Sequence, residues 1–448
     1  MLQRAASLVL TLLVFATPGM TQGKLGKARV ISGPMLGAVE ATRARFWMQA
    51  SGEDLLEIEC GRDEDFESSH RVAAKALRAN DLLVTIVVDG LEPATEYWYR
   101  VLVDGKPAPY LRGPWRFRTA PQEPAPFRVA FGSCARFEED ADQPIWTAVE
   151  RARPDLFFWL GDNFYGDTLD PEVLLRVALR QRDVRSLQPL LRTVPQLATW
   201  DDHDFGVNDY DRRHPAKEAS LDVFRRYWAN PAAGTADVPG VFFRYAYGGV
   251  DFFFIDCRYH RDPNDAPDGP QKTFLGEGQR RWLERELLAS KASFKVLVSG
   301  SGWSAAKGMG GDSWASYMRE RDAFFDFLIE REVRGVVLLS GDTHVGELNA
   351  IPRADKGGYD LYDLVSSPLA QDCSTSWLKR KPEHRVREVY FQGPNFGVID
   401  FKPGSDPELR FELRDVRGKS VWKPFVLRAS DLVPGKSTAA DKTWPRRG

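Results

Sequence analysis

Five short apolar runs in the chain each give way to side chains that can bind a metal ion or move a proton. Residues 127–131 are followed by Gly132-Ser133-Cys134, and residues 156–160 by Gly161-Asp162-Asn163-Phe164-Tyr165-Gly166-Asp167. Residues 197–200 lead into Asp201-Asp202-His203-Asp204 and then Asn208. Residues 252–255 lead into Asp256 and Arg258, and residues 335–339 into Ser340-Gly341-Asp342-Thr343-His344. Helix caps and turns also end strands with polar residues, but they need only Ser, Asn and Gly; this set holds a thiol, a phenol, two imidazoles and several carboxylates. Carboxylates gathered at one place repel and raise one another's pKa values unless a cation compensates them. The thiol, phenol and imidazole suit a redox-type transition metal such as ferric iron; carboxylate and amide oxygens suit Ca2+, Mg2+ or Mn2+. Asp162 is placed to bridge the two kinds. Adjacent cations that lower the pKa of a water and clamp phosphoryl oxygens hydrolyse phosphate esters.

Such residues must be positioned by strands. The runs are short and apolar throughout, as parallel strands buried on both faces are. Gly161 permits a sharp turn that sets Asp162 at the C-terminal edge of its strand, where open α/β sheets bind ligands. A parallel sheet would bring all five ends to one edge. A further apolar run at 295–298, and an amphipathic stretch at 279–288 with Trp282, Leu283 and Leu287 on one face, complete a βαβ pattern. Residues 397–401 and 410–415 read as closing strands. Residues 28–119 are different: short alternating runs at 44–49, 82–88 and 97–103 separated by turns predict an all-β domain. Within it, Leu91-Glu92-Pro93-Ala94-Thr95-Glu96-Tyr97 resembles the tyrosine corner of fibronectin III-like sandwiches. Residues 120–126 form a stiff Pro-rich linker. Few contacts need cross it, so residues 127–427 are expected to fold and bind metal alone. Residues 434–448 read as a polar, mobile tail. The expected fold class is therefore α/β, a β-sandwich followed by sheets flanked by helices.

Composition narrows the function. A chain of 448 residues can hold two domains and a large core. A net charge of −2 with mixed signs predicts no broad basic face and no specific nucleic-acid recognition. The 13 Trp and 27 Phe exclude a disordered chain. Residues 1–23 resemble a secretory signal, with Arg4 before an apolar stretch at 5–16 that is short for a bilayer span; an uncleaved anchor is the alternative. With no later transmembrane stretch, a secreted or periplasmic protein is expected, as a monomer. Four Cys do not make a disulfide scaffold, and no pairing among Cys60, Cys257 and Cys373 follows from their spacing.

Residues 127–427 resemble the alkaline phosphatase D (PhoD-like) branch of the calcineurin-like metallophosphoesterases. The resemblance rests on Phe131-Gly132-Ser133-Cys134, Gly161-Asp162-x-x-Tyr165, Trp200-Asp201-Asp202-His203-Asp204 and Gly341-Asp342-x-His344. Ile255-Asp256-Cys257-Arg258 and Ser366-Ser367-Pro368-Leu369 add to it. It implies Fe3+ held by Cys134, Asp162, Tyr165, Asp342 and His344, with Ca2+ facing Asp162 and Asn208; Zn2+, Mn2+ or Mg2+ are alternatives. Asp202 and His203 take a supporting or proton-donating role, and Arg180 and Arg258 are candidate contacts to the substrate phosphate. The twin-arginine leader of many members is missing here, which favours general secretory export.

The expected activity is hydrolysis of phosphate mono- and diesters by a metal-activated hydroxide, with His203 or a metal-bound water protonating the leaving oxygen. A purple-acid-phosphatase-like enzyme is an alternative, though the Gly-Asn-His-Asp/Glu and Gly-His-x-His patterns such enzymes resemble do not occur. A non-catalytic surface metal-binding module is another. Each candidate also has a structural reading: Cys134 as a buried thiol, Tyr165 as packing, His203 as a hydrogen-bonding histidine, Arg258 as a salt-bridge partner of Asp256. His70, His214, His260 and His384 fit no site.

Overall fold

Burial alternates in meaning along the strand Leu156–Leu160. Leu156, Phe158 and Leu160 belong to one apolar cluster, Phe157 and Trp159 to a second, because successive side chains leave a strand on opposite faces. The computed structural model describes residues 28–444. The leader read over residues 1–23 lies outside the described residues, as do residues 445–448. The strand lies in a six-stranded sheet ordered Gln196–Thr199, Leu156–Leu160, Phe127–Gly132, Asn395–Lys402, Glu408–Asp415, Phe425–Arg428. The first three are parallel; the others pair antiparallel.

The remaining site-bearing strands lie in another sheet, which corrects the expectation of one shared edge. It has seven strands, with Val250–Phe254, Phe294–Val298, Val336–Ser340 and Leu361–Val365 parallel at its centre. The two sheets face each other: the Phe158 ring lies 4.8 Å from Phe252 and 5.0 Å from Phe254. Phe157 and Trp159 turn outward onto Trp146, at 5.5 and 4.9 Å. Helices cover this outer face through Leu174, Leu190 and Phe224. The helix Glu277–Ala289 buries Trp282, Leu283 and Leu287, the face expected from periodicity. No helix among the described residues is long and apolar enough to cross a membrane.

The N-terminal region is a sandwich. A three-stranded sheet, Val30–Val39, Arg43–Ala50 and Leu83–Asp89, packs against a sheet built on Leu55–Gly61 and Glu96–Val103. Phe46 and Met48 enter its core, and the Tyr97 hydroxyl accepts the Glu92 N–H at 2.9 Å, closing the corner read from the sequence.

Trp47, between Phe46 and Met48, points the other way and is buried among the helices of the larger domain. Its Nε1 donates to the Arg226 carbonyl at 2.8 Å, and the Arg182 guanidinium stacks 4.2 Å over its ring. Ala38 N–H bonds to the Ala229 carbonyl at 2.9 Å, Ser32 Oγ to Asp183 at 2.7 Å, and the Tyr99 hydroxyl to the Arg192 carbonyl at 2.6 Å. The expectation that few contacts cross the linker is thus not met. The stretch from Pro434, read as a mobile tail, is tied down as far as residue 444. Asp360 accepts the Thr438 and Ala439 N–H groups at 2.8 and 2.9 Å, and Trp444 N–H bonds to the Val386 carbonyl at 3.0 Å.

Residues 127–427 expressed alone would expose the surface that Trp47 and Met35 cover. That chain is expected to be insoluble or to melt without a cooperative transition. In the full chain, Trp47→Ala is expected to cost about 3–5 kcal/mol, measured as a lowered urea midpoint. A soluble, cooperatively melting shorter chain would show that the sandwich is dispensable for the fold.

Candidate metal centre

Sharp turns beyond the strand ends place the candidate side chains. Cys134, Asp162 and Asp342 are each the second residue beyond the last residue of a parallel strand. Their φ angles are +63°, +49° and +67°, and that of His344 is +53°. Residues other than glycine rarely enter this left-handed region. It turns the chain sharply and aims the side chain across the end of the sheet. The flanking glycines let the strand ends close on one another: a Cβ at Gly161 would lie 2.7 Å from that of Asp201, and one at Gly341 2.5 Å from that of Ser133. Backbone hydrogen bonds knit the turns, Ala135 N–H to Asp162 at 2.9 Å, Gly166 N–H to His203 at 3.0 Å and Ser374 N–H to His344 at 3.0 Å.

The side chains form a connected chain of three donor groups: Cys134, Asp162 and His344; Asp162, Asp202 and His203; Asp201, Asp202 and Asp312. Within each group the donor atoms lie within 4.8 Å of one another. Cys134 Sγ is 3.3 Å from Asp162 Oδ2. The Tyr165 hydroxyl donates to the same oxygen at 3.4 Å and lies 3.3 Å from His344 Nε2. The other Asp162 oxygen accepts the His203 N–H at 3.4 Å. His203 Nδ1 is 2.5 Å from Asp167 Oδ1, and its ring lies 4.2 Å from that of Tyr165, tilted by 33°. Asp202 Oδ2 accepts the Asp209 N–H at 2.8 Å.

These groups are not at ease as they stand. Burial, then the neighbouring Cys134 and Asp202, push the Asp162 carboxyl well above its ordinary pKa. Burial alone is the main cause of the rise at Tyr165 and at Cys134, whose thiol is pushed up to about 11. Burial also raises Asp342 and lowers His344. At His203 burial opposes the charge, but Asp162 and the Asp167 hydrogen bond outweigh it and push the imidazole up to about 10. Asp202 Oδ1 is buried with no hydrogen-bond partner. That oxygen has only the Arg258 guanidinium, 3.5 Å away and shared with Asp201 and Asp312; beside crowded carboxyls and a thiol it fits a cation, which would stabilise the ionised ligands.

The structure brings together seven of the candidate residues: Cys134, Asp162, Tyr165, Asp202, His203, Asp342 and His344. Asp342 is drawn to one side, its Oδ2 2.5 Å from Lys307 Nζ. Asn208 lies exposed on a turn, one residue before the Asp209 that holds Asp202. The two arginines are corrected. Arg258 has 0% of its side chain exposed and is spent on Asp201 and on Asp312, at 2.6 Å from the latter; Asp256 instead accepts Trp200 Nε1 at 2.8 Å. Arg180 is largely exposed, 3.6 Å from Glu138 and 4.2 Å over the Phe137 ring, neither of which belongs to the cluster.

Sequence reasoning missed Gln371, whose Nε2 touches the Tyr165 hydroxyl and lies 2.9 Å from His344 Nε2. It also missed Asp167, Asp312 and Lys307. Gln371 lies two residues beyond Ser366-Ser367-Pro368-Leu369 and Asp167 two beyond Tyr165, so both were within reach of the motifs; Asp312 and Lys307 come from a loop with no such signal.

A family model described as PhoD-like phosphatase matches residues 175–402, a little over half of the chain. The chain belongs to the PhoD-like phosphatase family. A domain family of unknown function matches residues 27–114. Alkaline phosphatase D of Bacillus subtilis (strain 168) is 26% identical over 340 residues, covering 64% of this chain and 57% of the relative. The chain thus spans a little over half the length of that curated relative. The solved structure of PhoD superposes with a TM-score of 0.74 at 17% identity, over 92% of both chains. A purple acid phosphatase from yellow lupin (Lupinus luteus) seeds gives 0.58 at 13% identity, over 88% of this chain and 74% of that one. The two likenesses are of fold: this PhoD-like chain shares with them a sandwich followed by paired, helix-flanked sheets.

Arg258 acts as a counter-charge beneath the cluster. Arg258→Met, which leaves Asp201 and Asp312 short of a partner, is expected to destabilise the metal-free protein by about 3–5 kcal/mol, measured by chemical denaturation. Unchanged stability with a raised KM would instead restore it as a substrate contact.

Proposed function

We propose that the chain is an exported metal-dependent phosphoesterase, hydrolysing phosphate mono- and diesters in the manner of an alkaline phosphatase or phosphodiesterase. The observation that carries this reading is Asp162, one carboxylate shared by two donor groups of different softness. Cys134, Asp162, Tyr165 and His344 would hold ferric iron, together with the Asp342 oxygen away from Lys307. Asp162, Asp202 and Asn208 offer oxygens to a harder ion such as Ca2+. Zn2+, Mn2+ or Mg2+ in either place would leave the reaction class unchanged. Bound cations would supply an activated water and neutralise charge gathering on the phosphoryl oxygens.

The chain's own residues do the rest. Asp167 grips His203 Nδ1, and Tyr165 packs against its ring, so the imidazole is oriented and its remaining nitrogen is the one free to give a proton to the leaving oxygen. The Asp209 N–H holds Asp202 in place. The apolar stretch at residues 5–16 supports export.

Asp162→Asn replaces the shared carboxylate by a neutral amide. It is expected to lower turnover of an aryl phosphate by more than about 100-fold and to release both classes of metal, read by elemental analysis. Full metal content with near-normal turnover would remove the bridging role. The iron assignment has its own test. A thiolate or phenolate on ferric iron absorbs visible light, whereas Zn2+ and Ca2+ give no such band. The purified protein is expected to be coloured, Tyr165→Phe to shift or bleach the band, Cys134→Ser to do the same and lose iron, and calcium chelation to stop turnover without removing the colour. A colourless, active protein holding only zinc or manganese would overturn iron and keep the phosphoesterase.

A further inference from the structure

We propose that Lys307 is the side chain that grips the substrate's phosphoryl oxygens, reaching them from an anchored backbone beside a glycine-rich loop; the proposal rests on the phosphoesterase reading. A phosphate ester brings negative charge to a cluster already lined by Asp162, Asp201, Asp202, Asp312 and Asp342, and a side-chain cation able to turn toward it would add to what bound cations supply. The two buried guanidinium groups beside the cluster are committed: Arg258 and Arg261 have 0% side-chain exposure and are locked onto Asp201 and Asp312. Arg136, 5.0 Å over the Tyr165 ring and 3.0 Å from Glu139, keeps an Nε without a hydrogen-bond partner and is the competing cation on the Tyr165 side.

Lys307 differs in three ways. Its Nζ lies at the cluster, 2.5 Å from Asp342 Oδ2 and 3.0 Å from the Asp312 carbonyl, yet its side chain keeps 18% exposure. It ends the short 3-10 turn Ala305–Lys307, and Gly308 and Gly310 follow with φ of +78° and +83°, each facing open space where a side chain would be. Its backbone is nonetheless anchored, since Arg380 donates to the Lys307 carbonyl at 2.9 Å. A fixed backbone, a four-carbon stem and an open loop beyond it give an ammonium with short-range reach.

The partner it holds supplies the trigger. Asp342 is one of the residues that would bind a cation. Were its carboxylate shared with a cation, its pull on Lys307 would weaken and the two positive charges would repel. The displaced ammonium would then have an incoming phosphoryl group as its nearest unpaired anion. Three rotatable donors on a compact charge can follow phosphoryl oxygens as they flatten during transfer, where a planar guanidinium fork suits a fixed pair of acceptors.

The test uses the full-length protein with the metals it retains on purification and inorganic phosphate as the probe. Lys307→Gln is expected to weaken phosphate binding about tenfold by calorimetry, equivalent to about 1.4 kcal/mol, and to raise KM by a similar factor, with metal content unchanged. Lys307→Arg keeps a charge on Asp342, and with it the fold, and is expected to bind phosphate a few-fold more weakly than the parent. Parent-like phosphate binding in both variants would overturn the proposal. So would a loss of metal that accompanies the loss of phosphate binding, since Lys307 would then be holding Asp342 in place. A parent protein that neither binds phosphate nor turns over phosphate esters would overturn the phosphoesterase reading and this proposal together; an active parent with unaffected variants removes Lys307 alone.

Discussion

Repulsion between buried carboxylates is the constraint around which the rest is arranged. Asp162, Asp201, Asp202, Asp204 and Asp312 are all buried at one end of two facing sheets, where each uncompensated charge would cost several kcal/mol. The chain answers in two ways. Arg258 and Arg261 neutralise Asp201 and Asp312 from beneath, and hold Asp312 far below the usual carboxylate range even though its burial works the other way. Backbone N–H groups satisfy Asp204, which accepts from Asp201 at 2.6 Å and Asn163 at 3.1 Å. Asp162 accepts hydrogen bonds from the Tyr165 hydroxyl and the His203 N–H, each at 3.4 Å, yet burial and the Cys134 thiol against it push it well above the ordinary carboxylate range. Satisfaction does not divide framework from candidate ligands: burial also raises Asp201 and Asp204, whereas Asp202, against its burial, is held below its ordinary value by Arg258.

The sandwich belongs to this arrangement rather than standing beside it. Its first sheet is buried on both faces, with Phe46 and Met48 in one core and Trp47 in the other. The Trp47 ring meets Tyr227 at 6.0 Å, and Tyr227 meets Phe164 at 5.5 Å, edge to face. Phe164 immediately precedes Tyr165, so a relay of aromatic rings supports the turn bearing the phenol. Aromatic packing of this kind leaves little slack, and the position of Tyr165 thereby depends on a residue more than a hundred positions earlier in the chain.

The sequence made the strands legible because parallel strands buried on both faces must be apolar throughout; 156–160 appears unchanged in the structure and the others shift by a residue or two. The tyrosine corner and seven of the clustered residues were legible for the same reason, since each sits at or just beyond a pattern that stops. The division into two sheets was not, because an apolar run carries no mark of which sheet it joins. Trp47 escaped notice because alternation tells which residues share a face and not whether the opposite face is wet. Arg258 was misread since its position after a strand is the same for a substrate contact as for a buried counter-charge, and only the approach of Asp312, from a distant loop, decides between them.

The left-handed turns at the strand ends bear on function together with the side chains they carry. A residue other than glycine in that region stores roughly 1–3 kcal/mol, and glycine would relieve it at no steric cost. The chain does use glycine where the strand ends must approach closely, at Gly341 and at Gly161, which also has a φ of +86°. In the very next positions it keeps Asp162 and Asp342, and it keeps Cys134 and His344 in the same conformation. Such strain by itself marks no site, since Phe66, Ala94, Arg112 and Glu332 carry it away from the cluster. What sets the four strand-end positions apart is that each both reverses the chain and presents a donor atom to the same cluster, a pair of demands that glycine cannot meet.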